Sequence, residues 1–422
     1  GGAKGERYRV AADEYLSQGL LPRDAYVKMF VKAERINPSA KLRPDPRAIQ
    51  FRGAKYCVAL AQYLRPIEEH LYLVDYASRG VPRTRNVAKG LNAIQRAEIL
   101  ATKLRHFDAP VVIGLDASRF DKHVSQALLK IEHSVYLYCN PDPVFRDILR
   151  RQLTNKCFSS QGIKYTVKGR RMSGDMNTAV GNVVIMLLLL ITYCDKVAKL
   201  RKWDCFDDGD DALVIVEEED LKTFTAELTN TFAKFGMSMK VEDPCRSIHD
   251  IEFCQSKVIE YEPTRFKFVR DYRMVMSKAL SGVRNWANVK YRERVMQAIG
   301  TCELILALGV PVLQEYAVAI LRNCGGRASK PHKYAPDGLL ARASRDAKYI
   351  GVSLSHVEPV RIHDCARASF EIAFGLSPCD QIDVEARLRR WSFSITELHQ
   401  IGPEWEYSSW SGRQTEEELY HL

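Results

Sequence analysis

The segment of residues 206–216 constrains the fold more than any other part of this chain. It carries four aspartates within five residues, at positions 207, 208, 210 and 211, between two runs of apolar residues. An Asp-Gly pair between apolar runs is typical of a tight β-hairpin. Carboxylates packed this closely repel one another, and divalent cations bound at the edge of a sheet would offset their charge. The segment therefore predicts a metal-binding hairpin, with an acidic, solvated turn as the alternative.

A second pair of carboxylates strengthens the metal interpretation. Residues 111–115 form a short apolar run rich in β-branched side chains, which predicts a buried strand that ends at Asp116. Asp121 follows after four intervening residues. A strand that carries Asp116, beside a hairpin that carries Asp210 and Asp211, predicts a site for two Mg²⁺ ions. Two such ions about 3.5–4 Å apart stabilise both oxygens of an in-line displacement, which is the chemistry of nucleotidyl transfer.

Composition narrows the partners and the compartment. The 62 Lys and Arg residues exceed the 52 Asp and Glu residues by 10, so a polyanionic partner has to be considered. Eleven cysteines without a Cys-x-x-Cys pair argue against a zinc ribbon and a disulfide framework, and they fit a reducing, cytosolic setting. The longest apolar run, residues 183–191, is too short to span a bilayer. Because the chain starts without Met, we expect a piece of a longer product, with any membrane targeting outside it.

The predicted elements are mixed α/β first and α-rich at the end. Helical spacing covers about residues 1–30 and 56–105, with a break near Gly80 and Pro82, and a further helical stretch ends near residue 139. A polar connection then leads to residue 170, and further helices are predicted over about 175–200 and 221–235. Strand-like runs lie at 251–258 and 266–269, and helices dominate from about residue 277.

Two polar segments are candidates for binding. Ser173-Gly174 predicts a flexible loop that starts a helix, and Thr178 and Asn182 share one face of that helix, where they could hydrogen-bond a ribose hydroxyl or a base. An ordinary capped helix is the alternative. Residues 28–55 form a basic arm that three prolines keep from being one helix, and arginine suits phosphate because its planar fork binds two oxygens. A solvated surface arm is the alternative there. The basic residues of the arm are Lys28, Lys32, Arg35, Lys41, Arg43, Arg47, Arg52 and Lys55.

Taken in order, these segments resemble the motifs of viral RNA-dependent RNA polymerases of the tombusvirus-like group. The resemblance covers about residues 28–385, and five motifs in the correct order are specific. Asp116-x4-Asp121 resembles motif A, Ser173-Gly174-x3-Thr178-x3-Asn182 motif B, and Gly209-Asp210-Asp211 motif C. Residues 253–257 resemble the motif E turn, residues 32–34 and 46–52 resemble motif F, and residues 369–378 resemble the thumb region.

The resemblance implies a role for each matching residue. Asp116 and Asp210 would be the main metal ligands, with Asp211 in support. Asp121, Ser173, Gly174, Thr178 and Asn182 would form the site that senses the ribose of the incoming nucleotide. Arg47 would hold the triphosphate, aided by Lys32, Arg35 and Arg52. A lysine near the end of the helix after motif C would protonate the pyrophosphate, and we favour Lys234 because Lys240 lies in a strand-like run.

The resemblance also implies an α+β right-hand polymerase with an antiparallel palm sheet and an α-rich thumb. Its parts would be fingers at 1–105 and 141–174, palm at 106–140 and 175–278, and thumb with tail at 279–422. The expected cofactor is Mg²⁺, with Mn²⁺ as a substitute. The expected partners are RNA template and product, ribonucleoside triphosphates, and viral or host replication proteins at membranes of the host cytoplasm.

Two other functions explain part of the pattern. A reverse transcriptase-like polymerase shares the two-metal palm, but it has no reason to carry the 173–182 pattern beside Asp121. A non-catalytic RNA-binding replication protein explains the charge of +10. It gives no reason to concentrate four aspartates in one hairpin, since they would repel phosphate. Polymerases of that group usually carry a longer amino-terminal region upstream of the basic arm, so we expect the template-entry side of this chain to be incomplete.

Overall fold

The fold is described by a computed structural model over residues 2–32, 47–280, 288–328 and 330–395. These residues form two units. The first contains the described residues of 1–32, 46–90 and 103–246, and the second contains Leu91–Thr102 and the described residues from Ser247 onward. All three candidate metal ligands, Asp116, Asp210 and Asp211, lie in the first unit.

Helices and strands alternate in the first unit, and helices dominate the second. The helices are α1 (Gly2–Gln18), α2 (Ala54–Leu71), α3 (Ala93–Leu104), α4 (Phe120–His123), α5 (Gln126–Cys139), α6 (Pro143–Arg150), α7 (Thr178–Thr192), α8 (Leu221–Ala226), α9 (Leu228–Lys234), α10 (Tyr272–Lys278), α11 (Val289–Leu306), α12 (Leu313–Asn323), α13 (Pro331–Tyr334), α14 (Asp337–Ile350), α15 (Asp364–Phe374) and α16 (Pro378–Arg390). The strands are β1 (Val27–Val31), β2 (Ala48–Arg52), β3 (Pro110–Ala117), β4 (Thr154–Ser159), β5 (Lys164–Lys168), β6 (Trp203–Asp207), β7 (Asp211–Glu217), β8 (Met239–Val241), β9 (Glu252–Phe253), β10 (Ser256–Glu262) and β11 (Arg265–Arg270).

The acidic segment forms the predicted hairpin, with β6 and β7 paired antiparallel on either side of its turn. Strand β7 also pairs with β3, and β3 pairs with β8, both antiparallel, so the sheet has the order β6-β7-β3-β8. The predicted strand that ends near Asp116 is β3. The prediction of an α+β fold with an antiparallel sheet under the carboxylates is therefore confirmed.

This sheet is held by a continuous apolar core. Val111 and Val214 from the sheet, Met186 from α7 and Phe232 from α9 are buried in one cluster. Full burial of a side chain of this size contributes about 1.5–3 kcal/mol. Residues Thr178–Val197 form a segment that is long and apolar enough to cross a membrane. However, 67% of its 18-residue apolar window is buried inside the protein. The segment packs as a core helix in this structure; the expectation that it is too short to span a bilayer counted only the uninterrupted apolar run at 183–191 and is wrong about its length.

The polar connection predicted before residue 170 is partly wrong, because it contains α6 and a hairpin formed by β4 and β5. The inward positions of β4 are Asn155, Cys157 and Ser159, so the strand alternates without an apolar pattern. Periodicity of hydrophobic residues therefore could not reveal it. Strand β4 also pairs in parallel with β1, which completes a second sheet of order β2-β1-β4-β5.

The two described ends of the basic arm are extended, as predicted. Strands β1 and β2 pair antiparallel, with Val27 opposite Arg52 and Val31 opposite Ala48. The Lys32 amide donates to the Arg47 carbonyl at 2.8 Å, which continues this pairing. The predicted phosphate ligand Arg35 and the prolines of the arm lie outside the described residues.

The second unit is built on α11 and α12. Gly300 lets them approach closely, since a Cβ there would lie 2.9 Å from Ile320 Cγ2. A three-stranded antiparallel sheet, β11-β10-β9, contributes Ile259 and Val269 to the same core. The predicted turn at residues 253–257 joins β9 to β10, and Cys254 and Gln255 both adopt positive φ there, at 51° and 58°.

All eleven cysteines are free thiols in the structure. Cys194 and Cys205 are buried in the core of the first unit. Burial raises the pKa of both thiols. These two side chains are therefore apolar packing groups at neutral pH.

A buried lysine makes the stability of the second unit depend on pH. Burial lowers the pKa of Lys267 to about 8, and Asp346, 3.9 Å away, offsets only part of the effect. Between that pKa and the ordinary value of 10.5, the unfolded chain binds more protons than the folded one. Lys267 should therefore make a contribution to the free energy of unfolding that rises with pH across this range, by up to about 1.4 kcal/mol per pH unit. Urea unfolding at a series of pH values should show this contribution as a difference between the wild type and Lys267→Met that changes with pH.

The matched control is Lys290→Met, which removes an exposed lysine from α11 of the same unit. This variant should keep the pH dependence of the wild type, because tyrosines and cysteines that titrate in the same range are unchanged in all three proteins. If Lys267→Met showed the same pH dependence of the free energy of unfolding as the wild type, the effect would not come from Lys267.

Candidate active site

The acidic hairpin and β3 bring the predicted metal ligands together. Asp116 lies directly opposite Asp211 in the pairing of β3 with β7. The Ala117 amide donates to the Asp210 carbonyl at 3.0 Å, which ties the turn to the end of β3. Gly209 occupies the turn with φ of 103°, a conformation that favours glycine. Pairing of residues nearly 100 positions apart in the chain thus places three carboxylates at one end of the sheet.

The four aspartates of the turn have different surroundings. Asp207 is buried, accepts a hydrogen bond from the Gly209 amide at 2.9 Å, and has its pKa raised well above the usual value by burial. Asp208 forms an ion pair with Lys89 at 3.2 Å. Asp210 is exposed and Asp211 is half-buried. The turn therefore uses Asp207 and Asp208 within the fold and presents Asp210 to solvent.

The donor set suits a hard divalent cation, although the carboxylates do not form a closed cage. No group of three or more His, Cys, Asp and Glu side chains comes within metal-binding reach of one another in the part of the chain that the structure describes. Mg²⁺ is commonly bound by one or two carboxylates together with waters and substrate phosphates. Asp116 and Asp210, with Asp211 between them in the sheet, fit that kind of open site.

The strand pairing bears on the two candidate lysines. Lys240 lies directly opposite Asp116 in the pairing of β3 with β8. Residues opposite each other in an antiparallel pair project from the same face of the sheet. The Lys240 side chain is exposed and lies 3.6 Å from Glu242. Lys234 is exposed at the end of α9. The register therefore favours Lys240, whereas the sequence favoured Lys234.

The loop before α7 rests on strand β2. The Ser173 hydroxyl accepts a hydrogen bond from the Gln50 amide at 3.1 Å, and the Gly174 amide donates to the Gln50 carbonyl at 2.6 Å. A Cβ on Gly174 would lie 2.6 Å from Phe51 Cβ and 2.8 Å from the Gln50 carbonyl oxygen. Gly174 is therefore required for this close approach and not for an unusual φ.

Two of the predicted ribose-sensing residues, Asp121 and Asn182, are in direct contact, whereas Thr178 has local partners. Asn182 Nδ2 donates to Asp121 Oδ1 at 3.0 Å. The Thr178 hydroxyl lies 2.9 Å from the carbonyls of Met172 and Asp175, so it braces the loop.

Asp121 is half-buried near charges of both signs. Burial raises its pKa, and the charge of Asp210 acts in the same direction. The hydrogen bond from Asn182 and the charges of Arg171 and Arg47 lower the pKa of Asp121. These interactions place the predicted metal, ribose and phosphate residues in one electrostatic neighbourhood.

The prediction that Arg52 holds a triphosphate is corrected by the structure. Its side chain is 1% exposed. The guanidinium is paired with Asp175, donates to Asn155 Oδ1, and donates through Nε to the Ala25 carbonyl at 3.1 Å. A phosphate cannot reach it in this arrangement. Arg52 instead joins β2 to the loop that carries Ser173.

Sequence reasoning missed an ion pair behind Asn182. Arg171 is paired with Glu132 of α5, and both side chains are almost completely buried, at 4% and 0% exposed. The available signal was Glu132 itself, which occupies the same helix face as Leu128 and Tyr136. A carboxylate on an otherwise apolar face indicates a buried cation as its partner.

The class of protein follows from comparison with known sequences. Residues 1–396 match the family described as viral RNA dependent RNA polymerase. The chain belongs to that family. The resemblance drawn from the motifs is thereby confirmed.

Comparison with individual proteins shows which polymerases of this family the chain is similar to. The chain is 34% identical to the RNA-directed RNA polymerase of oat chlorotic stunt virus over 405 residues, which are 93% of this chain and 52% of the relative. It is 34% identical to the enzyme of carnation mottle virus, covering 96% of this chain and 51% of the relative. It is 36% identical to that of turnip crinkle virus, covering 90% and 48%. The chain spans about half the length of these relatives.

Proposed function

We propose that this chain forms the catalytic part of a viral RNA-directed RNA polymerase, which extends an RNA strand along an RNA template. The observation that carries the proposal is the antiparallel register that sets Asp116 beside Asp211, with Asp210 in the adjoining turn. Membership of the polymerase family supports the same reading of these carboxylates. The basic excess of the chain suits a polyanionic template and product.

The family suggests a division of the chain into parts of a right hand. We assign the antiparallel sheet β6-β7-β3-β8 and α7 to the palm, within residues 106–140 and 175–278. Residues 1–105 and 141–174 would be the fingers, and residues from 279 onward the thumb. The two units described above divide the chain differently, because the β9–β11 sheet groups with the later helices.

The carboxylates would hold the metal. Mg²⁺, or Mn²⁺ in its place, would bind Asp116 and Asp210 with Asp211 in support, and it would supply electrostatic stabilisation of the attacking and leaving oxygens. The chain itself holds Asp116 and Asp211 on paired backbone, with Asp210 in the adjoining turn. Lys240 lies directly opposite Asp116 on the neighbouring strand, and it is our first candidate to hold the proton that the pyrophosphate takes up. Lys234 is the second candidate.

The remaining residues would bind and select the nucleotide. Asp121 and Asn182, which are hydrogen-bonded to each other, would bond the ribose hydroxyls, and Ser173, held by β2, would assist them. A site built to bond a hydroxyl rejects a deoxynucleotide because its own polar groups would be left unpaired. Arg47 would neutralise the triphosphate near Asp121, and Lys32 and Arg35 would assist it.

The two alternative functions predict different behaviour. A reverse transcriptase-like enzyme would prefer deoxynucleotides, which the bond between Asn182 and Asp121 does not favour. A non-catalytic RNA-binding protein would gain nothing from exposing Asp210. Replication proteins at membranes of the host cytoplasm are further proposed partners.

Incorporation of labelled nucleotides on a heteropolymeric RNA template tests the proposal. Ribonucleotide incorporation that requires the template and is abolished by chelating Mg²⁺ and Mn²⁺ is the expected result. Preference for deoxynucleotides would support the reverse transcriptase alternative. RNA binding without incorporation in the presence of either Mg²⁺ or Mn²⁺ would support the alternative of a non-catalytic RNA-binding protein.

Gly174→Ala should impair synthesis without unfolding the protein. The added methyl would meet backbone and Cβ atoms of β2, so the loop that carries Ser173 must move away. Displacement of a binding loop by about 1 Å can lower activity on the order of a hundredfold. Steady-state kinetics of ribonucleotide incorporation measure the change. Gly53→Ala is the control, because its Cβ would meet nothing within 4 Å, and it should retain wild-type kinetics. Equal kinetics in both variants would show that the loop contact is unimportant.

A further inference from the structure

Arg171 contacts Asn182 directly from the side opposite Asp121. Its Nε donates to Asn182 Oδ1 at 3.0 Å. Its two Nη groups face Glu132, with Nη1 donating to Oε1 at 3.1 Å and Nη2 paired with Oε2. The guanidinium is thus shared between a carboxylate behind it and the amide in front of it.

Glu132 is in turn held by several donors. Besides Arg171, its Oε1 accepts from the Tyr136 hydroxyl and from Asn177 Nδ2, both at 2.9 Å. Asn177 also bonds Gln152. A buried ion pair with this many hydrogen bonds has little freedom to rotate. Arg171 therefore presents its Nε in a fixed direction.

The chemistry of these groups determines how the Asn182 amide must point. The Nε–H of arginine can only donate, so it requires the oxygen of the amide. With Oδ1 turned to Arg171, Nδ2 faces Asp121 and donates to its Oδ1 at 3.0 Å. The flipped amide would set its NH₂ against the guanidinium and its oxygen against the carboxylate, and both contacts would be repulsive.

We propose that Arg171, held by Glu132, is a positioning residue that orients the Asn182 amide and thereby sets ribose selection. Asn182 occupies one oxygen of Asp121, and the other oxygen is left to accept a hydroxyl of the incoming ribonucleotide. This inference rests on the proposed polymerase function.

Gly181 supports the proposal independently. It lies within α7, next to Asn182, and has no positive φ that would require glycine. A Cβ at this position would lie 2.7 Å from Glu132 Cδ and would also collide with Arg171 Nη2. Because Gly181 has no side chain, the ion pair of Arg171 and Glu132 can lie directly against the helix.

The test measures kcat/KM for a ribonucleotide and for its 2′-deoxy analogue on one RNA template. Arg171→Lys is the main variant, because it retains a cation beside Glu132 but lacks the planar fork that reaches Asn182. The ribo-to-deoxyribo ratio should fall by about tenfold, the loss expected from one misdirected charged hydrogen bond. Gly181→Ala retains both charges and should lower the ratio in the same direction.

A double-mutant cycle separates positioning from a general effect on folding. In an Asn182→Ala background, Arg171→Lys should leave the ratio unchanged, because the amide that it orients is gone. A similar loss of both activities at constant ratio, or a fall in the ratio that persists without Asn182, would overturn the proposal. Failure of the wild type to incorporate any nucleotide would instead count against the polymerase function itself.

Discussion

Asp210→Asn should lower RNA synthesis by about a thousandfold or more while leaving the fold intact. The substitution removes one negative charge from the exposed end of the turn and retains the size of the side chain. A bound metal ion supplies several kcal/mol of charge stabilisation in the transition state, and each 1.4 kcal/mol is about tenfold in rate. The bond that Asp210 makes to Ala117 uses its backbone carbonyl, so it survives the change.

Initial rates of ribonucleotide incorporation, with RNA affinity and thermal unfolding measured in parallel, check this expectation. Asp108→Asn is the matched control. Asp108 is an almost fully exposed aspartate just before β3, and Asp116 lies at the other end of that strand, about 25 Å away. This variant should keep the wild-type rate. Comparable rates for both variants would remove Asp210 from the metal site and the hairpin from the mechanism.

Lys103→Met should destabilise the first unit on the order of 3–5 kcal/mol. Lys103 and Asp204 form an ion pair at 2.8 Å in which both side chains are 0% exposed. Asp204 also accepts hydrogen bonds from Thr84, Asn86 and its neighbouring amide of Cys205. These neutral donors surround the Asp204 carboxylate, and Lys103 balances its charge. Its removal leaves a buried carboxylate without a counter-ion, which is far more costly than losing an exposed pair.

Hydrogen exchange of peptides from β6 and β7 measures the effect in the unit concerned. Exchange through unfolding should accelerate by about a hundredfold to several thousandfold, because each 1.4 kcal/mol of lost stability is about tenfold in exchange. The control is Arg246→Met, which breaks the exposed pair between Arg246 and Glu218, the residue that follows β7 in the same unit. Exposed pairs contribute about 0–1 kcal/mol, so exchange should change little. Equal acceleration in both variants would mean that burial of the first pair is not the cause.

Several features of the site could be predicted because they depend on neighbouring residues. An Asp-Gly pair between apolar runs predicts a hairpin wherever it lies in a chain. Residues 206–216 met that expectation, as did the strand ending at Asp116 and the core helix that carries Asn182. In each case the spacing of apolar residues over a few positions was sufficient to predict the element.

Other features could not be predicted because they join distant parts of the chain. Arg52 reads as one more phosphate ligand in a basic arm, yet it pairs with Asp175, 123 positions away. The hairpin of β4 and β5 has polar inward positions, so no period in hydrophobicity marks it. Lys240 was set aside for lying in a strand, although that strand is what places it opposite Asp116.

The sequence by itself therefore determined the chemistry of the site, namely which carboxylates, amides and cations are available and on which local elements they lie. Only the tertiary structure decided which of them meet. The register of β3 against β7 and β8, and the burial of Arg52 and Arg171 beside carboxylates from other elements, are set when the whole unit packs. A buried charge requires a partner, but which partner it finds depends on contacts that no local pattern specifies.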